Sequence, residues 1–323
     1  MRITENALNI LAAKAYKGIG KAWIVKNIDG NDPVERIVEL LNRGAKEQYS
    51  ISVNDFNSRK ENIRKKCEEL VGCIDGVVGI GDPEFPSYRG VVKNSERPVA
   101  LFYRGNLTLL KRQNTIAAVI GLLNPDKDTE TAESAIVSEL VKHGVTILSG
   151  LALGCDSIAH KQTLISGGRT IAALPSPVCD IIPAANKALA EEIVQKDGLL
   201  ISEYMEVAKS KMEMTSRYIE RDRLQALFSD CVILAASYSE NNVGNDSGAR
   251  HAMKYAENYS ILKGVMYDEK SHSGNPKYDL NRQLISEGDV IVIKSSDLKE
   301  MLKSIKSMHD TPLSSEWKQT DLF

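Results

Sequence analysis

The residues whose types and spacing could do chemistry fall in a few short stretches. The first runs Ile147-Leu148-Ser149-Gly150-Leu151-Ala152-Leu153-Gly154-Cys155-Asp156-Ser157-Ile158-Ala159-His160. An apolar run passes through two glycines into a helix-period pattern, which is how a parallel strand ends, turns and opens a helix. Gly150 and Gly154 let the backbone approach a ligand or take up a positive φ. The N–H groups and positive dipole end of the following helix suit a phosphate. The spacing is not G-x-G-x-x-G, so it is no dinucleotide fingerprint. A glycine turn without a ligand fits the same residues.

The second stretch holds Arg217, Arg221 and Arg223. At helix spacing Arg217 and Arg221 face one side, and such arginines can hold phosphates bidentately. Glu220 and Asp222 lie between them, so an internal ion-pair network is the competing reading. A third, Val243-Gly244-Asn245-Asp246-Ser247-Gly248, is a polar glycine turn opening a helix and a candidate second anion site through Gly244, Asn245 and Ser247. His160 reads more readily as a packed or capping histidine than as a general base. No GxSxG elbow, HExxH, Walker lysine or paired carboxylate motif occurs. No catalytic residue, metal site or cofactor is therefore expected.

Elements that would position these residues alternate from Thr115 onward. Apolar strands are expected at 116–121, ending in Gly121, and at 145–148, 169–174, 199–202, 231–235, 259–262 and 290–293. Helices are expected at 129–143, from about Asn186, at 217–227 and at 247–257. This pattern implies an α/β fold, a mainly parallel sheet with helices on both faces. Ligands on such sheets sit at the carboxyl ends of strands, which selects the loops beginning at Gly121, Ser149, Pro175, Glu203, Ala236 and Gly264. Residues 1–72 read as a small helical domain, with Gly18-Ile19-Gly20-Lys21 forming a helix-hairpin-helix-like turn whose amides and lysine could meet a DNA phosphate. Residues 73–294 form the α/β domain, entered through a connecting segment at 73–114. Residues 295–323 are a short helix and a tail.

The 323 residues carry 41 Lys+Arg against 43 Asp+Glu, a formal net charge of -2, so nucleic-acid binding would need a local basic patch rather than bulk charge. Cys67, Cys73, Cys155, Cys179 and Cys231 show no CxxC pair and no zinc spacing, which makes reduced thiols the default. The sequence offers no membrane-length apolar run and no signal-peptide h-region, so a cytoplasmic location and no membrane partner are expected.

Taken together, the motifs resemble the DprA/Smf family of DNA-processing proteins. Ser149-Gly150-Leu151-Ala152-x-Gly154-x-Asp156-x-x-Ala159-His160 matches the family signature. Gly168-Arg169-Thr170-Ile171-Ala172, Pro183-x-x-Asn186, Ser202-Glu203-Tyr204, Arg221-x-Arg223 with Ser229-Asp230, and Asn281-x-Gln283-Leu284-Ile285-x-x-Gly288 follow in register. The resemblance implies an extended Rossmann-like fold, single-stranded DNA binding, self-association as a homodimer, and loading of a RecA-type recombinase, as in natural transformation, without catalysis. By position it leaves Arg169, Lys187, Arg221 and Arg223 as phosphate contacts, with Tyr204 or Tyr218 as stacking partners.

The chain departs from the family pattern at three places. Gly121-Leu122-Leu123 stands where the family has Gly-Ser-Arg. Tyr218-Ile219-Glu220-Arg221-Asp222-Arg223 stands for Phe-Pro-x-Arg-Asn-Arg. The turn at 243–248 replaces Ser-Gly-Ser-x-x-Thr. A positive charge is lost and acids are gained, which weakens phosphate binding and flattens its salt dependence. These changes motivate an alternative: a nucleotide-ligand sensor or nucleotide-processing enzyme of the wider Rossmann-like group, for instance in phage defence. The tail ends Gln319-Thr320-Asp321-Leu322-Phe323, which resembles the peptide by which bacterial replication proteins bind the DNA sliding clamp. Leu322 and Phe323 would fill an apolar pocket, with Gln319 and Asp321 at its edge.

Overall fold

The computed structural model describes residues 1–44, 50–239, 248–294, 298 and 301–304. The expected second anion turn (Gly244, Asn245 and Ser247) and the clamp-like peptide (Gln319, Asp321, Leu322 and Phe323) lie outside the described residues.

Among the described residues, strands β1 (Arg2–Ile3), β2 (Gly76–Gly79), β3 (Ala100–Gly105), β4 (Ile116–Ile120) and β5 (Thr146–Ser149) join β6 (Thr170–Leu174), β7 (Leu199–Ser202), β8 (Cys231–Leu234), β9 (Leu262–Met266) and β10 (Ile291–Ile293). They form one ten-stranded sheet in the order β1-β2-β3-β7-β6-β5-β4-β8-β9-β10. Every pairing from β7 to β10 is parallel. Strand β3 runs antiparallel to both β2 and β7. The expected mainly parallel α/β fold is the one observed.

Alternation along each strand splits the apolar residues between two faces. Ala117, Val119 and Ile147 face α5 (Lys127–Lys142) and α6 (Cys155–Ile165), meeting Ile136, Val137, Leu140 and Ala159. Ala118, Ile120 and Leu148 face the other way, toward α8 (Lys211–Leu227) and α9 (Ala249–Asn258), meeting Leu224, Leu227 and Met253. Between them come α7 (Lys187–Gln195) and, near the chain's end, α10 (Glu269–His272) and α11 (Asp279–Glu287). Leu298 and Met301 are buried against β9 and β10, near Met266 and Ile293.

The N-terminal part is helical as expected, with α1 (Glu5–Lys14), α2 (Lys21–Asn27), α3 (Val34–Gly44) and α4 (Val53–Glu68). Thr4 caps α1 by accepting from the Ala7 amide, and Ser52 with Asp55 forms a capping box for α4. These helices are not packed by themselves. Leu8, Ile10, Ile24, Leu41 and Phe56 share one buried cluster with Val77, Phe102, Leu174 and Val178 of the sheet and its loops. Residues Arg2 and Ile3 also pair with Gly76 and Val77, so the chain's start is itself a strand of the sheet.

Two expectations shift. Residues 259–262 are not a strand: Tyr259 caps α9, Ser260 takes a positive φ of 58°, and the strand is Leu262–Met266. Gly264 therefore lies inside β9 rather than opening a loop, and it makes room for the Met301 methyl. The connecting segment 73–114 contributes two strands to the sheet, β2 and β3.

The chain steps from β4 through β5 and β6 to β7 in one direction. It then returns to lay β8, β9 and β10 on the other side of β4. This reversal places the crevice of a doubly wound sheet at the carboxyl ends of β4, β5 and β8.

Candidate nucleic-acid interface

At that edge the turn after β5 is built by close approach. Ser149 Oγ donates to the Val119 carbonyl of β4 at 2.7 Å. Leu151 and Gly154 both have positive φ, 59° and 71°. A methyl group at Gly150 would overlap the Arg221 guanidinium, and one at Gly154 would overlap the Leu122 carbonyl. At Gly121 a Cβ would come within 2.6 Å of Cys155 Sγ. Glycine at these positions thus lets the turns after β4 and β5 and an arginine of α8 interlock.

Asp156, in the first turn of α6, sits inside this turn. Its Oδ2 accepts from the Gly150 and Ala152 amides, each at 3.2 Å, and from Arg221 Nη1 at 3.3 Å. A carboxylate of the protein thereby occupies amide donors of the kind that cradle a phosphate at a helix N-terminus. The outer side of the turn is held by Asn186, whose Nδ2 donates to the Leu151 carbonyl at 2.8 Å, the Ala152 carbonyl at 3.1 Å and Ser157 Oγ at 3.0 Å. Lys187 follows Asn186 at the start of α7 and is exposed beside the turn.

The arginines of α8 are buried and paired. Arg217 donates to the Glu206 carbonyl at 2.7 Å and to Glu213 at 2.6 Å, with its guanidinium 4.0 Å from the centre of the Tyr204 ring. Arg221 lies between Asp156 and Asp222, whose Oδ1 is 3.2 Å from its Nε. Arg223 bonds the Glu96 carbonyl and Glu203, with Glu220 at 3.3 Å. The internal ion-pair network is thus present. Lys21 of the N-terminal hairpin joins it, 2.6 Å from Glu220 and 3.3 Å from Glu203. The hairpin lysine is therefore strapped to α8.

Burial sets the protonation of this region. It pushes the Asp222 carboxyl up to about 7, an effect opposed by Arg221 and reinforced by Asp156. His160 is fully buried with Nδ1 2.7 Å from Thr170 Oγ1, and burial drives its pKa down to about 4, so it is a packed neutral imidazole. Glu133 of α5 is also fully buried, and burial raises its carboxyl well above the ordinary range, against the neighbouring Cys155.

Of the residues singled out in the sequence, the structure brings together Gly121, Ser149, Gly150, Gly154, Lys187 and Arg221. Arg217 and Arg223 lie further along α8, toward Tyr204 and Glu203. Arg169 is not brought to the turn. It precedes β6 at the amino edge of the sheet, where it pairs with Asp197 at 2.7 Å. Leu122 is buried, while Leu123, whose backbone lies against Gly154, and Leu153 are exposed. Asp156 and Asn186 stand in recognised motifs, yet the sequence gives no sign of their roles, because their partners are set by the fold. Glu133 gives no signal at all, since a glutamate on an amphipathic helix reads as solvent-facing.

A doubly wound sheet with an interlocked glycine turn and a guanidinium at its reversal point defines a Rossmann-like fold. The family described as DNA recombination-mediator protein A matches residues 76–303, and the chain belongs to that family. It is similar to Protein Smf of Synechocystis sp., 32% identical over 257 residues that cover 77% of this chain and 57% of the relative. It is also similar to the DNA processing protein DprA of Streptococcus pneumoniae, 30% identical over 203 residues that cover 63% of this chain and 66% of the relative. The chain thus spans less than two thirds of either relative. Among solved structures, that of DprA from Streptococcus pneumoniae superposes with a TM-score of 0.69 at 24% identity, covering 92% of this chain and 98% of that one. DNA processing protein A from Helicobacter pylori, described for its single-stranded DNA binding mode, gives a TM-score of 0.53 at 24% identity, covering 70% and 98%. Both likenesses show the fold. Among the described residues no helix is long and apolar enough to cross a membrane.

Proposed function

We propose that this chain binds single-stranded DNA in DNA processing or recombination, and does so without catalytic turnover. The observation that carries the reading is the interlocked turn at the sheet's reversal point, where Gly150, Asp156 and Arg221 meet and Lys187 stands exposed. Family membership and the DNA-binding description of the Helicobacter pylori relative support it. A strand crossing the turn would place a phosphate near Lys187. That phosphate would compete with Asp156 for the turn amides and for Arg221. Leu123 and Leu153 offer apolar surface to unstacked bases in place of the charge that the family pattern has after β4.

The test is fluorescence anisotropy of labelled single-stranded DNA across a salt series. Affinity should fall steeply with salt, and Lys187→Gln should flatten the slope of log K against log salt by about 0.7, one phosphate contact on a single strand. A folded protein that binds no oligonucleotide at low salt would overturn the reading. Homodimerisation and partnership with a RecA-type recombinase belong to the same proposal through family membership.

The peptide Gln319–Phe323 carries a separate part of the proposal, tethering to the DNA sliding clamp. Its support is the sequence Gln319-Thr320-Asp321-Leu322-Phe323 alone. Deleting these residues should abolish affinity for the clamp in a pull-down or surface-binding assay; unchanged affinity sinks the tether.

A further inference from the structure

Arg221 stands between two carboxylates that it holds in different ways. Its Nη1 donates to Asp156 Oδ2 at 3.3 Å. That oxygen also accepts from the Gly150 and Ala152 amides. Three donors on one carboxylate favour its charged form. Asp222 is held less well. Its Oδ1 lies 3.2 Å from Arg221 Nε, yet that Nε makes no hydrogen bond among the described residues. The contact is an ion pair without a hydrogen bond. Asp156, Arg221 and Asp222 are each at most 7% exposed, so water screens little of what passes between them.

The groups around Asp222 come from three helices. On α8 it meets Arg221, whose guanidinium lies 6.0 Å from the centre of the Tyr218 ring. From α6 comes Asp156, a like charge. From α9 comes the Gly248 backbone, where an added Cβ would lie 3.3 Å from Oδ2, and the Tyr255 phenol, on which Asp222 acts. Among the described residues, Arg221 and Asp156 are the charges that act on its carboxyl. One cation thus faces two carboxylates. With both ionised, a site almost closed to water would carry an uncompensated negative charge. The proton that cancels it goes to Asp222, the less well bonded of the two.

We propose that Asp222 makes DNA binding at this turn proton-coupled, the turn taking up a proton at Asp222 as a DNA phosphate settles on Arg221. This rests on the reading of the turn as a single-stranded DNA site. A phosphate on Arg221 adds a like charge beside Asp222 and takes up part of the guanidinium that offsets it. Both effects strengthen the carboxyl's hold on its proton. The complex therefore binds the proton more tightly than the free protein does. Below the free-state pKa, Asp222 is protonated with or without DNA, and affinity is level. Above it the free protein has lost the proton that the complex holds, so affinity falls as pH rises. Burial pushes the free-state carboxyl up to about 7, so the fall begins near neutrality. The family pattern carries asparagine at this position, with no proton to exchange, so the coupling belongs to this chain's own residue.

The experiment measures the affinity of the full chain for labelled oligothymidylate from about pH 6 to about pH 8.5 at fixed ionic strength, a range in which neither the bases nor the phosphates titrate. Affinity should be level up to about pH 6.5 and about tenfold weaker by about pH 8.5. Asp222→Asn should lose the fall and bind more tightly than the parent at the alkaline end. Titration calorimetry of the parent near neutral pH, in buffers of different ionisation enthalpy, should count at least about half a proton taken up per bound site. That count needs no variant. Affinity that is level across the range, binding without proton uptake, or a fall that persists in a folded Asp222→Asn overturns the coupling and leaves DNA binding standing. A folded chain that binds no oligonucleotide at any pH overturns both.

Discussion

Asp222 is the residue at which this chain differs most sharply from the chemistry its surroundings favour. It places a second carboxylate on Arg221, which Asp156 already holds, in a site almost closed to water. The folded-state pKa of about 7 lies above the ordinary carboxylate value of about 3.9. Because the folded state binds this proton more tightly, its contribution to stability is full below about pH 4, declines as pH rises, and is gone above about pH 7. Asp222→Asn cannot ionise and removes that slope. Denaturant midpoints of parent and variant should differ most above pH 7, with the variant gaining on the order of 2–4 kcal/mol relative to the parent between pH 4 and pH 8. A parent-minus-variant difference that is flat across this range would contradict the assignment. At this scale the sequence shows the donors and hides the pairs. Gly150 and Gly154 are readable as a turn from spacing alone. Asp156 and Arg221, 65 residues apart, become partners only when α6 and α8 meet across the carboxyl edge. The competing readings of the arginine segment, phosphate clamp or ion-pair network, could not be separated without knowing that Glu203 and Lys21 arrive from elsewhere.

At the scale of elements, hydrophobic pattern and capping decide what can be read. Strands β4 and β7 are continuous apolar runs bounded by polar or glycine residues, and their limits follow directly. Helix α8 begins at Lys211 rather than 217, because Ser210 caps it by accepting from the Glu213 amide, while its first turns are largely exposed, Met212 included, and show no apolar face. Strand β2 has only Val77 and Val78 between two glycines, too short a signal for a buried strand. Its Gly76 is required because a methyl there would overlap the Arg2 carbonyl of β1. Strand β9 starts at Leu262 rather than Tyr259, because Tyr259, though apolar and buried, ends a helix instead of starting a strand. The same effect places the β9 loop after Met266. In each case a neighbouring element supplies the information that local pattern lacks. The hairpin between α1 and α2 is a further instance. Its glycines are readable, but Lys21 turns inward to Glu203 and Glu220, so the element works as a strap onto α8.

For the whole molecule, the boundary that helical patterning places near residue 72 separates helices from sheet, yet the packing crosses it. Strand β1 pairs with β2, and the helices bury Leu8, Ile10, Ile24 and Phe56 in the same cluster as Val77, Phe102 and Leu174. An amphipathic helical segment reads as a separate domain whenever its apolar face is long enough, because periodicity shows that a face is buried without showing against what. A shared core has an energetic consequence. Burying each large apolar side chain contributes roughly 1.5–3 kcal/mol, and domains are only marginally stable, by about 5–15 kcal/mol. Stripping four or five such contacts from one side of the sheet removes stability comparable to the whole. The full chain should therefore unfold in one cooperative transition, with helical and tertiary signals melting together. A fragment beginning at residue 73 should be unfolded or aggregated at room temperature, with Val77 and Phe102 exposed to water. Circular dichroism and calorimetry of the two proteins decide the matter. Two separated melting transitions in the full chain, or a soluble fragment with a cooperative melt, would mean that the helices are an independent domain resting on a sheet that folds without them.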